Sequence, residues 1–261
     1  MHPPDKLDTI VVRPRRNSQA RLTLMCLGFC GGGVGSFLPW ADTMPADVDL
    51  AAICYPGRDG RFLDDFAEDW DALAADMTEA VLSAAAEDPY ALFGHSMGAW
   101  MAFEVAVRIE QGGGPAPELL IVSSANAPSH GLTPRDMFPA QVDTDEQLLG
   151  WMRTHGLMPE HVLHDPDLQQ MAVELMRADI RVRDTFSFTP GAQVSAALQV
   201  LTADDDAVIE PNAGAAWRDL ALGDCRHDVL PGGHFYTPEV WSRLPRFMSW
   251  LSAAELPSGA A

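Results

Sequence analysis

The sequence is poor in positive charge and in cysteine. Among 261 residues it sets 17 Lys and Arg against 37 Asp and Glu, a formal net charge of -20 with a pI near 4.5. Such a field repels polyanions, which disfavours a general attraction to nucleic acid or to an anionic membrane surface. The four cysteines, Cys26, Cys30, Cys54 and Cys225, form no C-x-x-C pair and have no histidine at metal-ligand spacing. Neither a zinc site nor a disulfide framework is signalled, and no metal is expected. Unbroken apolar runs are missing as well. Met1 to Ser18 is polar, without the h-region of a secretory signal. The uncharged run from Leu22 to Trp40 is interrupted by Gly28, Gly31, Gly32, Gly33, Gly35 and Pro39, which break it as a membrane span. These absences predict a cytoplasmic protein with reduced thiols and with no nucleic-acid or membrane partner.

What is present is an ordinary globular mixture, 47% hydrophobic and 21% charged. Apolar runs bounded by turn residues predict strands at Leu22 to Leu27, Val48 to Cys54, Tyr90 to Phe93, Leu119 to Ser123, Ala197 to Leu201 and Asp228 to Leu230. Helical patterns alternate with them. Phe62 to Ala86 places Phe66, Trp70, Leu73, Met77 and Val81 on one face, and Met97 to Gln111 runs up to a Gly112 stop. The alternation predicts an α/β fold, a mostly parallel central sheet with helices on both faces. Residues 21–130 and 191–255 supply this core. Residues 1–20, with Lys6, Arg13, Arg15 and Arg16, read as a flexible N-terminal segment.

Between 131 and 190 the alternation stops, and only helical patterns remain, as in a helical lid inserted into the core. Leu148, Leu149 and Met152 share one face, and Leu168, Met171, Leu175, Met176 and Ile180 recur at helical spacing. Met137, Met152, Met158, Met171 and Met176 all fall in this segment. Two readings stand side by side. In one, an adaptable lid lines an acyl-chain channel with Met137, Met152, Met171, Leu175 and Met176; in the other, these are core residues of a small helical subdomain.

The sharpest chemical signal is Gly94-His95-Ser96-Met97-Gly98, placed between a predicted strand and a predicted helix. A serine hydroxyl needs geometry and a base before it becomes a nucleophile. A G-x-S-x-G turn supplies the geometry by lifting the serine onto a sharp strand-to-helix bend at the positive end of the helix. An acid and then a histidine should follow in the chain, each beyond the carboxyl end of a strand. The Asp204-Asp205-Asp206 loop and the Gly232-Gly233-His234-Phe235 loop occupy those places. The residue types do not distinguish among the three aspartates. The glycine-rich loop Gly28 to Gly33 can aim backbone N–H groups at an oxyanion. Phosphate binding is the weaker reading of that loop, since no nucleotide-binding motif is complete.

Five segments in order resemble the type II thioesterases, the free-standing editing α/β-hydrolases that accompany polyketide synthases and nonribosomal peptide synthetases. They are LGFCGGGVGSFLPW (27–40), YPGRDGRF (55–62), GHSMG (94–98), MRADIRVRDTF (176–186) and GGHFY (232–236). The resemblance implies Ser96 as nucleophile, His234 as base and Asp206 as the acid, with the N–H groups of Cys30 and Met97 forming the oxyanion hole. It implies hydrolysis of acyl thioesters on the phosphopantetheine arm of an acyl or peptidyl carrier protein, a transient partner, with no cofactor beyond that arm. Arg58, Arg61, Arg181 and Arg183 become candidates for carrier contacts. Three departures stand out. Cys30 replaces the usual Ala, which would expose a reactive thiol to reagents beside Ser96; Ala207 replaces Pro; and Ser124 to Pro128 lacks the arginines common in the family. A carboxylesterase acting on oxygen esters, and a catalytically idle hydrolase fold that binds a ligand, are the competing expectations.

Overall fold

The computed structural model describes residues 9–251 apart from 87, 135–138, 141–142 and 159. Seven strands form one sheet: β1 (Val11–Arg15), β2 (Leu22–Leu27), β3 (Val48–Ile53), β4 (Tyr90–His95), β5 (Leu119–Ser123), β6 (Ala197–Ala203) and β7 (Cys225–Leu230). Their spatial order is β1-β3-β2-β4-β5-β6-β7, with only β1 antiparallel to its neighbour. Parallel strands covered on both faces read as continuous apolar runs because neither face is wetted. In β2, Leu22, Leu24 and Cys26 enter one core layer, while Met25 and Leu27 enter the other. In β4, Tyr90 and Leu92 oppose Ala91 and Phe93 in the same way.

Helices α1 (Trp70–Ala85) and α2 (Met97–Gln111) cover one face of the sheet. Aromatic residues Phe37 and Trp40, from a 3-10 segment at Val34–Asp42, close the other together with Leu244 and Leu251. Between β5 and β6 the described chain is helical, with α3 (Asp145–Thr154), α4 (Glu160–Leu163) and α5 (Pro166–Asp184). Short helices α6 (Ala213–Arg218) and α7 (Pro238–Ser242) follow β6 and β7. Among the described residues no helix is long and apolar enough to cross a membrane.

Two parts of the expected organisation need correction. Residues 11–15, expected within a flexible segment, are an edge strand registered on β3, with Val11 opposite Ile53 and Arg15 opposite Leu50. Pro14 and the two arginines hide it from apolar periodicity, and an edge is where a strand tolerates proline. Its arginines are committed: Arg13 pairs with Asp49, and Arg15 donates to the carbonyls of Met44 and Ala46 at 3.2 and 3.1 Å. The first helix starts at Trp70, not Phe62, because the Asp69 side chain accepts from Ala72 N at 2.8 Å and caps it there. Phe66 belongs to the preceding loop, where it lies against Gly57.

Candidate active site

Ser96 sits between β4 and α2 at φ 55° and ψ -124°, a backbone conformation that non-glycine residues rarely occupy. The turn is possible because its flanking glycines are crowded by backbone. A Cβ on Gly94 would lie 1.8 Å from Gly98 O, and one on Gly98 would lie 2.4 Å from Leu27 O. The strain is held by Ser96 N–H donating to Ser123 O on the neighbouring strand at 2.8 Å.

Three loops beyond the carboxyl ends of β4, β6 and β7 then meet. Ser96 Oγ is 3.0 Å from His234 Nε2, and His234 Nδ1 is 2.9 Å from Asp206 Oδ2. This choice among the aspartates is tertiary. Asp204 Oδ1 instead accepts from Gly232 N at 2.9 Å and braces the histidine loop, while Asp206 Oδ1 accepts from Val208 N at 2.9 Å, which aims its other oxygen at His234. Burial alone would raise the Asp206 carboxyl. The hydrogen bond and charge of His234, with the Val208 N–H, outweigh that and leave it below its ordinary value of 3.8. The arrangement can pass a proton from a serine hydroxyl to an imidazole whose tautomer is fixed by a carboxylate.

Met97 begins α2, so its N–H belongs to the first helical turn, whose donors have no partner within the helix. Cys30 lines the same cavity, with its Sγ 3.3 Å from Met97 Sδ. The glycine loop carrying Cys30 is clamped by a buried ion pair that sequence reasoning missed. Asp179, on α5, accepts from Gly31 N at 2.7 Å and pairs with Arg58, which in turn donates to Gly32 O at 2.8 Å. Tyr55 OH donates to Gly28 O at 3.0 Å. Both partner motifs, YPGR and MRAD, were visible in the chain, but no local pattern says that residues 58 and 179 meet. Arg58 is therefore structural rather than a carrier contact. Arg61 is likewise engaged, with Asp64 and Asp76.

The Cys30 thiol is raised to about 12, first by burial, with the Arg183 guanidinium the leading opposing charge. The expected thiol reactivity is thereby corrected. The thiolate is the reactive form, and burial disfavours it. Iodoacetamide treatment of the folded protein is expected to leave its hydrolytic rate unchanged; inactivation that tracks Cys30 alkylation by mass spectrometry would contradict this.

His95 lies beneath the site and is fully buried, with Nδ1 3.0 Å from Ser123 Oγ, which is itself 2.7 Å from Tyr236 OH. Its ring is packed by Phe29, Phe235 and Trp241. Desolvation, helped by nearby His234, holds it well below 6.5. Because the folded form resists a proton that the unfolded chain accepts, stability is full above pH 6.5 and declines as pH falls below it. The expected decline is about 1.4 kcal/mol per pH unit for this one group. Urea unfolding at pH 7.5 and 5.5 should show it, and His95→Gln should flatten it; an unchanged slope in the variant would assign the acid sensitivity elsewhere.

Two hollows join at His234 and Phe235. One is a cavity of about 50 Å³ beside Ser96, walled by Trp100, Ser124, Asn126, Trp151 and Arg183. The other is a groove of about 740 Å³ running past Phe29, Gly31, Arg153, His155 and Trp241. Neither is lined by Met152, Met171, Leu175 or Met176, which corrects the channel reading for these four. Met152 and Met176 are core residues, Met176 resting on Gly31; Leu175 is half-buried; and Met171 is 43% exposed. Met137 lies outside the described residues.

Comparison with known proteins agrees with this architecture. Residues 22–254 match the thioesterase domain family. The chain is 32% identical to thioesterase PikA5 of Streptomyces venezuelae over 88% of this chain and 80% of that one. It is 31% identical to the AMB antimetabolite synthetase AmbE of Pseudomonas aeruginosa over 93% of its own length, and spans only 11% of AmbE. The solved type II thioesterase BorB from the borrelidin biosynthetic cluster superposes with a TM-score of 0.81 at 34% identity, covering 94% of this chain and 98% of that one. With its α/β-hydrolase sheet, the chain belongs to the thioesterase domain family, as a thioester hydrolase of the type II group.

Proposed function

We propose that the protein hydrolyses acyl thioesters presented on the phosphopantetheine arm of an acyl or peptidyl carrier protein, through an acyl-enzyme on Ser96. The observation that carries this reading is the position of the Ser96-His234-Asp206 relay at the junction of a long groove and a small cavity. A slender arm fits the groove, and a short acyl group fits the cavity. Ser96 Oγ attacks the thioester carbonyl while His234 Nε2 takes its proton. The N–H groups of Cys30 and Met97 receive the developing oxyanion, each such donor worth about 3–4 kcal/mol of barrier. His234 returns the proton to the departing pantetheine sulfur, and Asp206 stabilises the imidazolium in between. Water, deprotonated by the same imidazole, then releases the acid. The chain's own groups supply every step, and the phosphopantetheine arrives with the substrate.

The carrier encounter is expected to be transient. The net charge of -20 gives no broad attraction to an acidic partner, which leaves docking to apolar contacts and local cations such as exposed Arg181. PikA5 and BorB, named for thioesterase activity, support the reaction class. The test compares acyl-pantetheine thioesters and acylated carrier protein with oxygen esters of the same acyl group. Faster release from the thioesters is expected; preference for the oxygen esters would favour a carboxylesterase. Failure of Ser96 to label with an active-site phosphonate would favour an idle binding protein.

A further inference from the structure

The small cavity carries a charge that a hydrocarbon chain would not need. Arg183, at the end of α5, is 7% exposed and forms part of the cavity wall. Its Nε and Nη2 both donate to the single oxygen Oδ1 of Asp184, at 3.0 and 2.7 Å. Its Nη1 has no hydrogen-bond partner among the described residues. A buried guanidinium is costly unless its donors are matched, and Arg183, with Nη1 unengaged, stands in the wall of the cavity that also holds the nucleophile. Ser124, also on the cavity wall, is 1% exposed, and its Oγ has no hydrogen bond of normal geometry within the protein. It is held there by a left-handed backbone, φ 44°, and by its N–H donating to Leu201 O at 2.9 Å. Asn126, on the same wall, is already engaged, its Oδ1 accepting from Glu210 N at 2.6 Å.

Two unmatched donors thus flank one cavity, and a group that only accepts hydrogen bonds would satisfy both. A carboxylate is such a group, and arginine's fork matches it in shape. The size agrees: about 50 Å³ holds roughly four water-sized groups at about 10–15 Å³ each, enough for a few carbons and a carboxylate. We propose that the cavity selects short acyl groups that end in a carboxylate, of malonyl to succinyl size, with Arg183 binding the carboxylate and Ser124 completing its hydrogen bonding. This rests on the thioesterase reading and names the substrate class of the same site. Arg183 is then a specificity residue rather than a carrier contact.

The test uses the whole chain with malonyl-pantetheine and propionyl-pantetheine, in wild type and Arg183→Gln. The quantity read is the ratio of kcat/KM for malonyl over propionyl, which cancels any general loss of activity. A tenfold or greater fall of that ratio in the variant is expected; a smaller change overturns the proposal. A second measurement needs no variant. Malonate should inhibit propionyl-pantetheine hydrolysis by the wild type at lower concentration than propionate does, and equal or weaker inhibition by malonate counts against carboxylate binding. If the wild type hydrolyses neither thioester but releases longer acyl groups from pantetheine, the proposal fails; if it hydrolyses no acyl-pantetheine at all, it is the thioesterase reading that fails.

Discussion

Ser96→Ala is expected to lower kcat for acyl-carrier hydrolysis by about 10⁵- to 10⁶-fold while leaving KM within a few-fold of wild type. The size follows from what is lost. Without Oγ there is no acyl-enzyme, and the His234-Asp206 pair, poised 3.0 Å from an oxygen that is gone, has no proton to take. Residues that act as one relay are non-additive, so His234→Ala should cost nearly as much and the double variant hardly more. Asp206→Asn should cost about 10⁴-fold by presenting the wrong tautomer. Single-turnover release of labelled acid from an acylated carrier measures all four. A Ser96→Ala loss smaller than 10³-fold would mean that another nucleophile does the work.

Asp179→Ala should be the most damaging change away from the relay, destabilising the fold by about 3–5 kcal/mol. The carboxylate is 4% exposed at its side chain and Arg58 is 6% exposed, so removal strands a guanidinium in the interior. The same substitution deletes the acceptor of Gly31 N–H and loosens the loop that carries Cys30. Replacing the pair together, as Arg58→Met with Asp179→Leu, separates the two effects. Urea unfolding should show stability largely regained, because no buried charge is left unmatched. Turnover should stay about 10²-fold down, since an oxyanion donor misplaced by about 1 Å costs that much. Recovery of both together would reduce the pair to a purely structural role.

The strands at the centre of the sheet were legible because burial on both faces leaves an unbroken apolar run. β5 is found at Leu119–Ser123 and α2 at Met97–Gln111, with the predicted bounds. Legibility failed at the edges. β7 begins at Cys225, three residues before its expected start, because Arg226 and His227 face solvent and carry no apolar signal. β1 was missed because Pro14 and the half-buried, engaged Arg13 and Arg15 interrupt its apolar pattern.

The site divides along a similar line. Ser96 and His234 stand on motifs whose local geometry is written in adjacent glycines, so the residues themselves announce the turn and the loop. The chain alone therefore determined the alternating α/β order, the elbow and the order of nucleophile, acid and base. Tertiary structure decided what depends on residues distant in sequence. Asp206 rather than Asp204 faces the imidazole because Gly232 occupies the latter, Arg58 and Asp179 meet across 121 positions to clamp the glycine loop, and Arg183 rather than Met152, Met171 or Met176 lines the cavity. Periodicity reports which face of a helix is apolar, but the packing of that helix on the sheet decides which buried side chain reaches the reacting atoms.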